Sequence, residues 1–208
     1  MGAMQAKKPR ALLFDLGGVV IDIDFDRAFR LWQRRSRLSL EEMRARFHFD
    51  LQFQRHERGD IAVSEYYDHL ACLLQIDADR QHIAHGWNSI FVAEIAETTA
   101  LVQALRGHLP CFALTNTNAA HMATWSSMFP DVVTSFERIF ASHQMGFRKP
   151  DRRAFDYVSE ATGFAASSMA FFDDLLENVE AAAAAGIHGV HVRSPADVRD
   201  ALRSFGCL

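Results

Sequence analysis

The hydrophobic residues of this chain form short runs that alternate with longer stretches of helical periodicity. A run of four or five apolar residues is typical of a buried strand, whereas apolar positions three and four residues apart indicate a helix. The candidate strands are residues 11–14, 111–114, 139–142, 169–172 and 188–192. The candidate helices are residues 98–107, 118–127, 151–162, 176–185 and 195–204. This alternation predicts a doubly wound α/β core, with helices on both faces of a parallel sheet.

Residues 25–95 show a different pattern from the rest of the chain. Their apolar positions recur at helical spacing, and Ser39 and Glu42 have the spacing of a capping box at a helix start. We therefore predict a small all-helical cap over residues 25–95, inserted after the first strand. Residues 1–24 and 96–208 would then form the α/β core.

Composition and charge narrow the class of protein. The 208 residues carry a net charge of −4, whereas a nucleic-acid partner calls for a basic surface. No apolar stretch is long enough to span a bilayer, and Asp15 interrupts the first apolar run too early for a secretory signal. Cys72, Cys111 and Cys207 are far apart, which argues against a disulfide framework. We expect a cytoplasmic protein without nucleic-acid or membrane partners, and the sequence leaves its oligomeric state open.

Polar side chains follow the predicted strands at or near the points where the strands end. They are Asp15, Thr115, Asn116, Lys149, Asp173 and Asp174. Because the carboxyl ends of parallel strands meet at one edge of the sheet, we expect these side chains to converge there. Three carboxylates in one crevice repel one another unless a cation offsets them. Their oxygen atoms are ligands that Mg²⁺ prefers.

The groups around these acids also favour a phosphate. Gly17 and Gly18 follow Asp15, and a glycine turn lets backbone N–H groups approach an oxyanion closely. Lys149 precedes Pro150 at a predicted helix start, where an anion is stabilised. An aspartate beside Mg²⁺ can act as a nucleophile. The pattern therefore predicts hydrolysis of a small phosphorylated metabolite.

Four segments resemble, in order and spacing, the four motifs of the haloacid dehalogenase superfamily. They are FDLGGVVID (14–22), LTNTN (114–118), RKPD (148–151) and FFDDLLEN (171–178). Two further segments, QRHERGDI (54–61) and HGWNSIFVA (85–93), extend the resemblance to the bacterial α-D-glucose-1-phosphate phosphatases and their relatives. The resemblance covers nearly the whole chain, and it implies a Rossmann-like core with a helical cap.

The resemblance implies a mechanism through an aspartyl phosphate. Asp15 would be the nucleophile, and Lys149 would neutralise the phosphoryl group that Thr115 and Asn116 hold. The implied substrate is a sugar phosphate such as glucose 1-phosphate. Trp87 is our candidate for a sugar contact from the cap, which would cover the site and select the leaving group.

The resemblance also implies Mg²⁺ as the cofactor. Asp15, the carbonyl group of Gly17 and Asp174 would bind the ion directly, and Asp173 would help through water. Asn178, at the end of the last motif, would orient the acidic pair.

Gly17 departs from the family pattern. Most phosphatases of the superfamily carry an aspartate at this position, which protonates the leaving group and then activates water. A substitute could be a water or one of Asp22, Asp24, His56 and Glu57. The dehalogenase branch also lacks this acid, so a 2-haloacid dehalogenase stays an alternative, although Asp173 and Asp174 would then have no purpose. The other alternative is a non-catalytic protein that binds a phosphorylated metabolite.

Overall fold

The computed structural model describes residues 8–208, and this part of the chain contains seven strands and twelve α-helices. The strands are β1 (Ala11–Phe14), β2 (Ile21–Ile23), β3 (Phe91–Glu94), β4 (Cys111–Thr115), β5 (Arg138–Ala141), β6 (Met169–Asp173) and β7 (His188–His191). The helices before β4 are α1 (Phe25–Gln33), α2 (Leu40–Arg46), α3 (Leu51–Glu57), α4 (Val63–Leu73), α5 (Arg80–Asn88) and α6 (Ala96–Ala104). Those after β4 are α7 (Ala119–Met128), α8 (Pro130–Ser135), α9 (Ser142–Met145), α10 (Arg152–Thr162), α11 (Leu176–Ala184) and α12 (Pro195–Ser204).

Five strands form a parallel sheet in the order β5-β4-β1-β6-β7. The chain leaves the central strand β1 on one side through β4 and β5, and it then crosses to β6 and β7 on the other side. The predicted doubly wound α/β core is confirmed by this order. Because the strand order changes direction at β1, the crevice outside the ends of β1, β4 and β6 is the expected place for a ligand.

The core lies on both faces of this sheet. Strands β1, β4 and β6 are buried along their whole length, as expected for parallel strands that helices cover on both sides. Leu12 and Phe14 pack into the cluster on one face, which includes residues of α6, α8 and α12. Ala11 and Leu13 pack into the other cluster, together with residues of α10 and α11. The alternation follows from the two-residue period of a strand.

Helices α1 to α5 lie between β2 and β3, in the segment that the sequence predicts to be a helical cap. Helix α1 packs against α2 and α5, and α4 packs against α3 and α5. Trp32 and Trp87 are both fully buried in this part of the molecule. Gly86 allows α5 to approach α1, because a Cβ atom there would overlap the indole of Trp32. We propose that these helices form the cap, and its boundaries at residues 25 and 95 stay a prediction.

The segment 25–95 differs from the prediction at its end, where it is not helical. Residues Phe91–Glu94 form β3, which pairs antiparallel with β2. Their hydrogen bonds join the segment that leaves the α/β core after β1 to the segment that returns to it before α6. A four-residue strand carries too few positions for a period, so its pairing with a distant segment could not be found from the pattern alone.

Several other elements differ from the sequence pattern by a few residues. Ser142 begins α9 instead of ending β5, and its hydroxyl donates to the Thr117 carbonyl and accepts from the Thr117 N–H, both at 2.9 Å. Helices α8 and α9 have only six and four residues, which is too short for a clear period.

Within residues 8–208, none of the helices has the length and apolar character needed to cross a membrane.

Candidate active site

The side chains predicted at the strand ends meet around Lys149. Asp15 directly follows β1 and Asp173 ends β6. The Nζ atom of Lys149 lies 2.9 Å from Oδ1 of Asp15 and 2.7 Å from Oδ2 of Asp173. The lysine side chain is fully buried, and an ammonium group without partners would be strongly unfavourable there. The two carboxylates therefore hold the lysine in its charged form at the edge of the sheet.

Asn116 fixes the backbone of Lys149. Its Nδ2 donates to the Lys149 carbonyl group at 2.9 Å, and its Oδ1 accepts from the Lys149 N–H at 2.8 Å. These two bonds join the loop after β4 to the loop before α10. The Asn116 side chain thus positions the lysine in this structure, and its predicted contact with a phosphoryl group stays a prediction. Thr115, its neighbour at the end of β4, lines the cavity described below.

Three carboxylates form an acidic cluster beside the lysine. Asp15, Asp173 and Asp174 each place one oxygen so that the three atoms lie within 4.8 Å of one another. Oδ1 of the fully buried Asp173 accepts hydrogen bonds from the Leu175 N–H at 2.8 Å and from Asn178 Nδ2 at 3.0 Å. Asp174 is only partly buried and lines the cavity. Asn178 therefore contacts the acidic pair through Asp173.

The cluster holds more negative charge than one lysine offsets. Burial raises the pKa of Asp15 to about 8; the Lys149 charge lowers this pKa, while the charges of Asp173 and Asp174 raise it. Burial and the charge of Asp173 also raise the pKa of Asp174. Burial lowers the pKa of Lys149, but the charges of Asp15 and Asp173 outweigh burial and raise it above its usual value. A cation among these oxygens would favour their ionised forms.

The donor atoms of the cluster fit a hard divalent cation. Each of the three acids offers a carboxylate oxygen, and oxygen is the donor that Mg²⁺ prefers. Among the described residues, the buried Oδ1 of Asn178 has no hydrogen-bond partner, which leaves one more oxygen acceptor at this end of the cavity. Gly17, whose carbonyl group was predicted as a ligand, lines the same cavity.

The glycine turn after Asp15 differs in part from the prediction. Gly18 has a φ of +76°, and a Cβ atom there would overlap the carboxylate of Asp174, so two independent constraints require glycine. The Gly18 N–H donates to the Ile21 carbonyl group at 2.9 Å. This amide is therefore engaged within the turn, and it does not point a free donor at a phosphate as the sequence led us to expect.

A cavity of about 260 Å³ opens in front of Asp15. Its polar end contains Asp15, Thr115 and Asp174. Its other walls are largely apolar and aromatic, with Ile23, Phe25, Phe49, Phe53, Phe91 and Trp125. The cavity therefore combines the acidic groups of the sheet edge with an apolar, aromatic surface.

Trp87 does not reach this cavity, which corrects the predicted sugar contact. Its side chain is fully buried and packs against the rings of Tyr66 and His121, at centroid distances of 5.0 and 4.3 Å. The aromatic residues from the inserted helices that line the cavity are Phe25 and Phe53, together with Phe49 from the loop before α3. These three were not predicted from the sequence, because a phenylalanine in a helical pattern looks the same whether it packs into the core or lines a cavity.

Three of the four predicted substitutes for the acid missing at Gly17 lie elsewhere. Asp22 is exposed on β2, and Asp24 caps α1 by accepting a hydrogen bond from the Asp26 N–H at 2.9 Å. His56 is stacked on Tyr66, and burial lowers its pKa to about 4. Of the described residues that line the cavity, none is one of these three.

Glu57 is the predicted substitute that does line the cavity. It ends α3, is only 6 % exposed, and its Oε2 accepts from Nε of Arg148 at 2.8 Å. Arg148 and His121 also line the cavity, and neither was predicted from the sequence to belong to the site. The RKPD motif contains the arginine, but only the fold shows that its partner comes from α3.

Comparison with known proteins identifies a hydrolase family for most of this chain. The model of the haloacid dehalogenase-like hydrolase family matches residues 9–186. The D-ribitol-5-phosphate phosphatase of Bacteroides thetaiotaomicron is 24 % identical over 196 residues, which cover 92 % of this chain and 95 % of that protein. A sesquiterpene phosphatase of Aspergillus oryzae is 26 % identical over 186 residues, which cover 88 % and 89 % of the two chains.

Solved structures support the same relationship. A haloacid dehalogenase family enzyme of Bacteroides thetaiotaomicron, solved as a magnesium complex, is 29 % identical with a TM-score of 0.78, over 89 % of this chain and 94 % of that chain. The same enzyme was solved with magnesium and inorganic phosphate, with a TM-score of 0.75 at 28 % identity over 86 % and 91 % of the chains. The family match and the phosphatase relatives confirm the prediction of a phosphatase-type hydrolase. This chain belongs to the haloacid dehalogenase-like hydrolase family.

Proposed function

We propose that this protein is a Mg²⁺-dependent phosphomonoesterase that acts on a small phosphorylated metabolite. The observation that carries the proposal is the cluster of Asp15, Asp173 and Asp174 around the buried Lys149. Its charges suit a divalent cation together with a phosphate. The magnesium and phosphate bound by the Bacteroides enzyme support the same pair of ligands here.

Asp15 is the proposed nucleophile. Its Oδ1 accepts from the Leu16 N–H at 2.7 Å and lies 2.9 Å from Lys149, which leaves Oδ2 for attack on phosphorus. The new O–P bond forms as the bond to the leaving group breaks. Water then attacks phosphorus and releases Asp15 and inorganic phosphate. Thr115, Asn116 and Lys149 would hold the phosphoryl group during both steps.

A magnesium ion would be held by Asp15, the Gly17 carbonyl group and Asp174, with Asp173 behind them. When bound, it supplies positive charge for the phosphoryl oxygens, on which negative charge must be stabilised in the transition state. Lys149 contributes a second positive charge from the protein side of the site. Asn178 would keep the Asp173 carboxylate oriented through its bond at 3.0 Å.

The two alternatives from the sequence have less support. A 2-haloacid dehalogenase would use Asp15 to attack carbon, and the acidic pair Asp173 and Asp174 would then add only repulsion. A non-catalytic binding protein would explain Gly17, but the nucleophile and its buried lysine are in place. Both alternatives make distinct predictions in the experiment below.

Two classes of leaving group have support. The resemblance to glucose-1-phosphate phosphatases and the ribitol-5-phosphate phosphatase relative favour a sugar phosphate. The aromatic wall of Phe25, Phe49 and Phe53 favours an ester with an apolar organic group, as does the sesquiterpene phosphatase relative. The first class stays our prediction, and the second is a candidate that the cavity itself suggests.

The test is phosphate release from sugar phosphates and from alkyl and prenyl phosphates, with Mg²⁺ and with EDTA. We expect Mg²⁺-dependent release by the wild type and a loss of about 10⁴-fold or more in Asp15→Asn, because a nucleophile is removed. Asp22→Asn is the control, since it removes an exposed carboxylate of the same segment. Release of halide from chloroacids without metal would instead show a dehalogenase. Binding of the esters without turnover would show the non-catalytic alternative.

A further inference from the structure

The proposed reaction needs a group that transfers protons, and position 17 does not supply one. An alkoxide leaving group must gain a proton when its bond to phosphorus breaks, and the attacking water must later lose one. Gly17 has no side chain, and a Cβ atom there would meet only Ile23 within 4 Å. The aspartate that most phosphatases of the superfamily carry at this position is therefore missing, and Ile23 packs 3.3 Å from where its Cβ atom would lie.

Few ionisable groups line the cavity, and most are unsuited to this task. Asp15 and Asp174 are already assigned to attack and to the metal. The Arg148 guanidinium stays charged at all relevant pH values. Glu177 is exposed at the start of α11. Within the described part of the chain, this leaves His121 and Glu57 as buried ionisable groups of the cavity wall.

His121 is held as a neutral, structural histidine. Its Nε2 lies 3.0 Å from the Trp87 carbonyl group, and its ring is stacked on the Trp87 indole. Burial lowers the pKa of His121 to about 3. An imidazole that is already bonded to a carbonyl group and resists protonation is a poor proton donor for a leaving group.

Glu57 has the position and the environment of a proton-transfer group. Its Oε2 accepts from Arg148 Nε at 2.8 Å, and among residues 8–208 this is its only ion pair, so Oε1 has no charged partner there. Arg148 directly precedes Lys149, so Glu57 is tied to the segment that carries the catalytic lysine. Burial raises the pKa of Glu57 although the charges of Arg148 and Lys149 lower it. Tyr66 of α4 lies near it, and burial raises its pKa above the usual value, so it adds no charge.

We propose that Glu57, at the end of α3, transfers the protons that an aspartate at position 17 would otherwise transfer. The inference rests on the proposed phosphatase function. In the first step the Asp15 oxygen bonds to phosphorus, the leaving-group oxygen departs, and that oxygen takes the proton of the Glu57 carboxyl group. In the second step water attacks phosphorus and gives a proton to the Glu57 carboxylate, and the bond from Asp15 to phosphorus breaks. Glu57 ends each cycle protonated, as it began.

The test compares two esters in Glu57→Gln, which keeps the size of the side chain and an acceptor for Arg148. An alkyl phosphate needs a proton on its leaving group, whereas 4-nitrophenyl phosphate releases a stable phenolate without one. We expect turnover of the alkyl ester to fall by about 10²- to 10⁴-fold, the range of a lost acid–base group. With the nitrophenyl ester we expect a burst of about one phenolate per active site and then slow release, because only the second step is impaired.

Asp60→Asn is the matched control, because it removes the acid of the exposed pair that Asp60 forms with Arg58 at 2.8 Å, just beyond Glu57. Arg148→Met removes the ion pair but keeps the Glu57 carboxyl group, so it should show no burst. A Glu57→Gln protein with wild-type rates, or one that slows both esters equally without a burst, would overturn the inference. Glu57→Asp repeats the comparison with an acid, and it should restore steady release. If the wild type releases no phosphate from any ester, the proposed function itself fails.

Discussion

At the scale of single residues, the centre of the site consists of buried charged groups that pair with one another. Asp15 is 8 % exposed, and Lys149 and Asp173 are fully buried. Removing one partner of a buried ion pair typically costs about 3–5 kcal/mol, because the other charge is left alone. The three side chains therefore hold one another in place. The same environment raises the pKa of Asp15 to about 8 and prepares the cluster for a cation.

Gly18→Ala tests the close approach between the glycine turn and Asp174. We expect the alanine to lower the free energy of unfolding by about 1–2 kcal/mol because of its positive φ. We also expect a higher Mg²⁺ concentration for half-maximal phosphate release, because the methyl group must displace the Asp174 carboxylate. Gly163→Ala is the control, since Gly163 has a φ of +73° with no atom within 4 Å of a Cβ. Equal Mg²⁺ dependence in the two variants would contradict the prediction.

At the scale of elements, polar side chains cap the starts of the helices, and contacts between distant segments hold the elements together. The Ser39 and Glu42 capping box predicted from the sequence is present with both of its hydrogen bonds at the start of α2. Asp24 starts α1 in a similar way, through the Asp26 N–H. Helix α3 ends at Glu57 and packs against α9, so one of the inserted helices brings a carboxyl group to the sheet edge.

Asp24→Ala separates a capping role from a catalytic one. Because Asp24 accepts a hydrogen bond at the start of α1, we expect the alanine to lower the free energy of unfolding by about 1 kcal/mol. The turnover rate with the best substrate should equal that of the wild type, since Asp24 does not line the cavity. Urea unfolding and steady-state kinetics on the same preparation measure both effects. A protein of wild-type stability with strongly reduced turnover would show that Asp24 acts in the reaction.

At the scale of the whole molecule, the site joins segments that are far apart in the chain. The ion pair of Lys149 with Asp15 links residues 134 positions apart, and that of Arg148 with Glu57 links residues 91 positions apart. Sheet order brings β1 between β4 and β6, and residues of the inserted helices line the cavity at the same edge. A ligand that binds only this assembled site should therefore stabilise the fold as a unit.

Mg²⁺ should raise the melting temperature of the EDTA-treated protein. A free Mg²⁺ concentration of about 100 times the dissociation constant adds about 2.7 kcal/mol to the free energy of unfolding. The pKa of Asp15 is raised from 3.8 to about 8, so the metal-free folded state binds a proton that the unfolded state has lost. The stability of the metal-free protein therefore falls as the pH rises between these values.

Mg²⁺ displaces that proton, so its stabilising effect should grow as the pH rises toward 8. Thermal melts with MgCl₂, against NaCl of equal ionic strength, measure the shift. Asp174→Asn should abolish most of it, because one of the proposed ligands loses its charge. A shift that is the same in this variant, or that is largest at low pH, would contradict the assignment of the ion to this cluster.

The sequence by itself determined the fold class and the acidic and basic residues at the strand ends. Runs such as Ala11–Phe14 followed by an acid are local features, and parallel strands necessarily bring their carboxyl ends to one edge. Asp15, Lys149 and Asp173 could therefore be predicted as neighbours from the pattern of apolar runs and the polar residues that follow them.

Only the tertiary structure decided which other groups face the cavity. Trp87 and Phe49 are both aromatic residues of the inserted segment, yet the first is buried in its core and the second lines the cavity. Glu57 meets Arg148, and β2 meets β3, through contacts between segments that no local period connects. Burial and ion pairing depend on how helices pack in three dimensions, and a one-dimensional pattern of apolar and polar residues does not contain that packing.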